Sequence, residues 1–184
     1  MPSAEGLIPG FRPENDLERA IAADERLRKG LEWGKPRTGH PEGSVGAHVG
    51  QLLETIDDWD PPQPLRSELR FLALVHDSLK SEVKDFLPKT GENHHAMRAR
   101  RLAEGYTDDE RLLATLEQHD RPYAIWRKMK RKGRLDERAF EEMLERIPDK
   151  PLFLRFVELD GSTEGKNPEP VEWFRRELAE RSLL

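Results

Sequence analysis

Histidine and aspartate are the residues of this chain whose types and spacing are best suited to chemistry. The stretch FLALVHDSLK, residues Phe71–Lys80, runs five apolar residues directly into His76 and Asp77. The chain has six histidines and no cysteine. The absence of cysteine excludes disulfides, thiolate nucleophiles and zinc–thiolate sites. Any metal ion would therefore be bound by nitrogen and oxygen ligands, which imidazole and carboxylate groups provide.

Several of these residues continue the apolar stripe of their own segment, which is the face that a helix turns towards the core. His76 follows Leu65, Leu69 and Leu72 at helical spacing, and Asp77 lies about 100° further around the same helix. By the same criterion, three further residues are predicted to face the core, each on a different segment: His48, His119 and Asp160.

The same criterion predicts different orientations for the adjacent histidines at 94 and 95. His95 leads to Ala99 and Leu102, whereas His94 leads to the charged Arg98 and Arg101. His95 is therefore the inward candidate and His94 the outward one.

One inward histidine is more often a hydrogen-bonded core residue than a metal ligand, but an unpaired buried carboxylate is costly. Here five segments each direct histidine or aspartate towards the core. A shared metal ion would satisfy all of these groups together. The pattern predicts a metal centre built from six residues: His48, His76, Asp77, His95, His119 and Asp160.

The segments that carry these residues have helical periodicity, and no strand pattern is present. The pattern predicts helices at about 15–31, 45–58, 65–79, 94–104, 107–119, 137–146, 151–159 and 171–182. TDDE at Thr107–Glu110 is typical of a capping box. The predicted fold is all-α, a single-domain helical bundle with a buried metal site. Residues 1–38 are predicted to form an N-terminal arm and a helix that pack on the core. Residues 39–166 form the metal-binding helical domain, and residues 167–184 form a C-terminal helix of the same domain.

Composition restricts the class of protein further. The 184 residues are 35% apolar and 36% charged, with a net charge of -5, which argues against a general nucleic-acid coat or a polybasic membrane binder. The first residues, MPSAEGLIPGF, lack the pattern of a secretory signal, and no segment approaches the ~20 apolar residues of a membrane span. We expect a cytoplasmic protein without a membrane partner; the sequence does not predict its oligomeric state.

The order and spacing of the six candidates resemble the HD-domain superfamily of metal-dependent phosphohydrolases. The resemblance covers roughly Gly39 to Lys166 and includes the doublet followed by lysine in HDSLK. HPEGSVGAHV at 40–49 is similar to the family's approach to its first histidine. FLRFVELDGST at 153–163 is similar to its last ligand helix.

The resemblance implies a two-metal site. His48, His76, Asp77 and Asp160 would bind one ion, and His95 and His119 would join a bridging Asp77 around a second. Asp77 and Lys80 would be catalytic, with Lys80 near the substrate phosphate; the alternative is an exposed lysine at a helix end. Nitrogen and oxygen ligands suit one or two Mn, Fe, Ni or Co ions, with Mg possible.

The implied activity is hydrolysis of a phosphomonoester or phosphodiester, in a nucleotide or at a nucleic-acid end, by a metal-activated water. The alternatives are a mixed-valent di-iron oxygenase of the same superfamily acting on a small polar substrate, and a non-catalytic module with a structural metal. DRPYAIWR follows His119 in place of the Gly-Tyr-Pro signature of cyclic di-GMP hydrolases, so that activity is not predicted. Asp120 could orient His119 or pair with Arg121 at a helix end, and the second interpretation is favoured. His40 is interpreted as structural or solvent-exposed.

Cations near the predicted site are candidates for substrate binding. The predicted set is Lys80, Arg98, Arg101 and Arg121, although Arg98 and Arg101 could equally coat a surface. RKMKRKGR at 127–134 has six cations in eight residues, downstream of Tyr123 and Trp126. This stretch is either a patch that recruits phosphates, with an aromatic ring to stack a base, or a solvated face.

Overall fold

The computed structural model describes residues 3–184, so the first two residues of the predicted arm lie outside it. Within this range there is no β-strand, which confirms the all-α prediction. Two short 3-10 helices span Lys80–Glu82 and Gly91–Asn93. The α-helices are α1 Ala4–Leu7, α2 Asp16–Ala23, α3 Glu25–Leu31, α4 Val45–Trp59, α5 Leu65–Val75, α6 His95–Ala103, α7 Glu110–Gln118, α8 Arg121–Lys132, α9 Glu137–Glu145, α10 Lys150–Gly161 and α11 Glu169–Glu180.

Two local predictions are wrong for the same reason, an aspartate that caps a helix. The helix predicted over 15–31 is broken at Asp24, whose extended backbone ends α2 and whose carboxylate accepts the N–H groups of Arg26 and Leu27. The predicted capping box at Thr107–Glu110 does not form, because Asp109 is the N-cap of α7 and accepts the N–H of Arg111. Apolar spacing alone does not detect such caps.

The end of α5 positions the His-Asp doublet. The helix ends at Val75 rather than near Leu79, and His76 is its C-cap with helical backbone angles. Ser78 then donates its hydroxyl to the carbonyl of Val75 at 2.8 Å. The backbone of α3 packs against this turn at Gly30, where a Cβ atom would lie 1.4 Å from the Ser78 carbonyl oxygen. The doublet is therefore held in a tightly packed turn that requires glycine opposite.

The apolar core has two clusters, which meet at α10. The first is formed by α1–α7 and receives Leu152, Phe156 and Leu159 from α10. The second is formed by α8, α9 and α11 and receives Phe153 and Val157 from the other side of α10. Because α10 is buried on both sides, the position of Asp160 near its C-terminal end is fixed by both clusters.

The N-terminal segment is joined to α5 by a buried ion pair. Arg70 donates from Nε and Nη2 to the two carboxylate oxygens of Glu18, each at 2.8 Å, and from Nη2 to the carbonyl of Arg12 at 3.0 Å. Both side chains are buried. Across the described residues, no helix combines the length and apolar character needed to cross a membrane.

Candidate metal centre

The six residues that the sequence predicts as ligands lie together in the structure, although they come from five different helices or their ends. Among residues 3–184, four groups of three residues have ligand atoms close enough to hold a metal ion, and two of these groups share Asp77. The two groups without Asp77 are His40, Glu42 and His48, and His94, His95 and Asp120. Of the two groups that share Asp77, the first is His48, His76 and Asp77, and the second is Asp77, His95 and His119. Asp160 lies beside the first group, with Oδ1 at 3.0 Å from His48 Nε2 and 3.7 Å from His76 Nε2.

The carboxylate of Asp77 lies between the two groups. Its Oδ2 is 3.4 Å from His76 Nε2, and its Oδ1 is 3.6 Å from His95 Nε2 and 3.7 Å from His119 Nε2. Each oxygen therefore faces a different set of imidazoles. This is the arrangement that a carboxylate needs in order to bridge two ions.

Hydrogen bonds orient two of the imidazoles. His76 Nδ1 lies 3.0 Å from the carbonyl oxygen of Ala73, and His119 Nδ1 lies 2.8 Å from that of Leu116. A carbonyl only accepts, so each Nδ1 carries the hydrogen. A neutral ring then presents its Nε2 lone pair to the site, as in metal-binding histidines whose other nitrogen is held by the backbone.

Unpartnered atoms inside the cluster test whether a cation fits it. The buried His76 Nε2 and Asp77 Oδ1 have no hydrogen-bond partner among the described residues. An imidazole lone pair and a carboxylate oxygen that face each other without a proton repel, as His76 Nε2 and Asp77 Oδ2 do at 3.4 Å. A buried polar atom without a partner also costs free energy. A divalent cation would remove both penalties, so the residues fit a metal ion.

The charge states also suit a cation. Burial raises the pKa of Asp77, but the positive charge of Lys80 and the neighbouring imidazoles outweigh this effect and hold it well below its usual range. Burial likewise raises the pKa of Asp160, but Lys166 and His48 bring it well below the usual range. Both carboxylates are therefore anionic at neutral pH.

The histidines differ in their protonation. Burial lowers the pKa of His48, and burial together with the charge of His119 lowers the pKa of His95 to about 3. Burial would also lower the pKa of His119, but the nearby carboxylates of Asp77 and Asp120 raise it to about 8. His48 and His95 are thus neutral, whereas a metal ion would displace the proton on His119 Nε2.

Glu42 belongs to the site but was not predicted from the sequence. Its side chain is only 4% exposed, and its Oε1 lies 3.0 Å from His40 Nδ1 and 3.4 Å from His48 Nδ1. Its Oε2 is buried without a hydrogen-bond partner. Glu42 lies in the loop before α4, where no periodicity signals an inward side chain. His40 is half-buried against this carboxylate and lines the cavity described below.

Asp120 faces the site rather than the helix end. Its Oδ2 lies 3.4 Å from His94 Nε2 and 3.7 Å from His95 Nε2, and it forms no ion pair with Arg121. The interpretation of Asp120 as a partner of Arg121 is therefore wrong. His94, the outward histidine, is the N-cap of α6 and accepts the N–H of Ala96.

Two lysines bring positive charge to the cluster. Lys80 forms an ion pair with Asp77 and is mostly buried, so it is not an exposed lysine at a helix end. Lys166, which the sequence did not single out, donates to both Oδ1 and the backbone carbonyl of Asp160, each at 2.8 Å. The loop after α10 thus contributes a cation that helical periodicity could not indicate.

A cavity of about 480 Å³ opens onto the cluster. It is large enough for a small-molecule ligand. The residues that line it include Asp77, Lys80, His95, His119, Asp120, Tyr123, Asp160, Lys166 and Asn167.

The three arginines predicted to bind substrate do not line this cavity. Arg98 pairs with Glu82 at 3.3 Å, and Arg101 pairs with Glu104 at 3.0 Å. Arg121 lines a separate depression of about 310 Å³. Only Lys80, of the predicted substrate-binding set, is on the cavity wall.

Comparison of the chain with family models, with curated proteins and with solved structures gave no match. What supports an HD-type centre is therefore the molecule itself. The fold is helical, and its buried cluster of histidine and aspartate is compatible with a metal site of that type.

Proposed function

We propose that this chain is a metal-dependent phosphoric ester hydrolase of the HD-domain type, acting on a nucleotide or on the terminal phosphate of a nucleic acid. The observation that carries the proposal is the carboxylate of Asp77, which faces two groups of imidazoles beside the partly buried Lys80. A cytoplasmic location belongs to the same proposal.

The ligand residues would divide between two ions. His48, His76 and Asp160 would hold one ion, His95 and His119 the other, and Asp77 would bridge them. A bound divalent ion supplies Lewis acidity and makes a water molecule nucleophilic near neutral pH. Mn, Fe, Ni, Co and Mg are the candidates.

The two lysines would bind and orient the phosphate. Burial lowers the pKa of Lys80, but the charge of Asp77 outweighs it and raises the pKa, so the ammonium stays protonated at neutral pH. An ammonium group has three donor hydrogens, so Lys80 can contact Asp77 and a phosphate oxygen together. Lys166 would approach the same phosphate from the Asp160 side. Fixed positive charges at the cavity wall favour a transition state in which charge spreads over phosphoryl oxygens.

The experiment is phosphate release from protein stripped of metal and reloaded with each candidate ion in turn. The substrates are a panel of nucleoside monophosphates, cyclic nucleotides and phosphorylated oligonucleotides. We expect hydrolysis of at least one class with at least one ion, and its loss in Asp77→Asn. The matched control is Asp16→Asn, which changes an exposed aspartate on α2.

Two results would contradict the proposal. One is a folded, metal-loaded protein that hydrolyses nothing in the panel. The other is two tightly held irons with oxygen consumption on addition of a small polar substrate, which would favour the di-iron oxygenase.

A further inference from the structure

One face of α8 is both aromatic and cationic, and it begins at the metal cavity. Tyr123 lines that cavity and is 50% exposed. Trp126, Arg127, Lys130 and Arg131 follow at helical spacing on the same side. These five residues are called the α8 stripe.

Aromatic rings hold the cations of the α8 stripe. Tyr123 and Trp126 are stacked, with centroids 6.0 Å apart and planes at 27°. The Arg127 guanidinium lies 5.8 Å from the Tyr123 centroid, and Lys130 Nζ lies 5.7 Å from that of Trp126. Cations within about 6 Å of a ring face are attracted to it. The stripe therefore alternates flat rings with positive charge.

The cations of the α8 stripe form few ion pairs, although ion pairs are common elsewhere in the protein. Arg66 pairs with two carboxylates and Arg111 with three. By contrast, neither Arg127 nor Arg131 forms an ion pair with any carboxylate in residues 3–184, and Lys130 has only Glu169 at 3.4 Å. The protein as a whole carries a net charge of -5. A local positive face on an acidic protein directs anions to that face.

We propose that the α8 stripe binds single-stranded nucleic acid and leads its end into the metal cavity. The inference rests on the proposed function and narrows its substrate to a strand rather than a free nucleotide. Tyr123 would stack the base next to the cavity, and Arg127, Lys130 and Arg131 would contact successive phosphates. Stacking surfaces combined with backbone cations are how proteins bind single strands without reading sequence. An acidic peptide would use the cations but would not need the exposed aromatic surface of Tyr123.

The test is fluorescence anisotropy with metal-free protein in EDTA and a labelled, 5′-phosphorylated oligothymidine of about 12 nucleotides. We expect Tyr123→Ala to weaken binding about 5- to 150-fold and Tyr123→Phe to retain it, because stacking needs the ring and not the hydroxyl. The triple variant Arg127→Gln, Lys130→Gln, Arg131→Gln should weaken binding at least about tenfold. It should also reduce the slope of log affinity against log salt by about 2, as expected for three lost phosphate contacts.

The matched control removes three exposed cations from the N-terminal segment: Arg12→Gln, Arg19→Gln and Lys29→Gln. It lowers the net charge equally and should leave strand binding within about twofold of wild type. Equal losses in both triple variants, wild-type binding by Tyr123→Ala, or equally tight binding of polyglutamate would each overturn the inference. Because binding is measured without metal, a failure of hydrolysis and a failure of strand binding are separate results.

Discussion

Two buried polar clusters in this protein are built in opposite ways. In the first, Arg70 and Glu18 satisfy each other through two parallel hydrogen bonds, and Arg70 also reaches the carbonyl of Arg12. In the second, around Asp77, the buried His76 Nε2 and Asp77 Oδ1 have no partner among the described residues. One cluster is complete as folded, and the other could hold a cation.

This difference indicates that the first cluster serves stability and the second serves function. A buried charge with a full set of partners contributes mainly to holding elements together, here the N-terminal segment and α5. A buried group without a partner lowers stability unless a ligand binds it. The predictions that follow test this contrast, from the largest expected effect to the smallest.

Breaking the complete cluster should cause the largest loss of folding stability. We expect Arg70→Met to lower the free energy of unfolding by about 3–5 kcal/mol, because it leaves the Glu18 carboxylate buried without a countercharge. Urea denaturation measures the change. The double variant Glu18→Gln, Arg70→Met should recover part of the loss, since no charge then remains buried. A loss below about 1 kcal/mol in the single variant would mean that the first cluster is not structural.

Filling the incomplete cluster should stabilise the protein. At free metal of about 100 times the dissociation constant, mass action predicts a gain of about 2.7 kcal/mol in the free energy of unfolding. Metal titrations followed by urea denaturation measure it. The gain should be the same in Arg70→Met if that variant remains folded, because distant clusters act additively. No gain with any of the five candidate ions would contradict the contrast.

Glu42 should affect the metal affinity of the incomplete cluster through its contact with His48. Its carboxylate lies 3.4 Å from His48 Nδ1, on the side of the ring away from Asp160. We expect Glu42→Gln to weaken metal binding by about 10- to 100-fold, as when a carboxylate behind a metal-bound histidine is removed. Isothermal titration calorimetry measures the affinity. Unchanged affinity would show that Glu42 has no part in the site.

The smallest expected change in stability comes from an exposed ion pair whose geometry is similar to that of Arg70 and Glu18. Arg26 donates to both oxygens of Glu82, at 3.0 and 2.8 Å, much as Arg70 donates to Glu18. Because the Arg26 side chain is 52% exposed, we expect Arg26→Gln to change the free energy of unfolding by less than about 1 kcal/mol. An effect as large as that of Arg70→Met would show that pairing, rather than burial, sets the energy.

The sequence predicted those parts of the site that lie on periodic helices. His48 and Asp160 lie inward because they continue apolar stripes, and helix packing then brings the stripes together. The stripe of α5 predicted the direction of His76 even though the helix ends at Val75, since the next residue keeps helical angles.

Periodicity did not predict residues in loops and turns. Glu42, Asp120 and Lys166 lie between helices, and their orientation depends on tertiary contacts. The break at Asp24 was missed because a cap depends on one side chain rather than on a repeat. Arg98 and Arg101 pair with nearby glutamates, and such competition between partners is decided only when the chain is folded.

The most direct test of the central claim is metal content. Wild type, Asp77→Asn and the control Asp16→Asn are dialysed against each candidate ion, and bound metal per chain is measured by mass spectrometry. We predict one or two ions in wild type and in Asp16→Asn, and a loss of bound metal in Asp77→Asn, because Asp77 is common to both groups of ligands. A wild-type protein that binds no ion, or an Asp77→Asn variant that binds as much as wild type, would contradict the account.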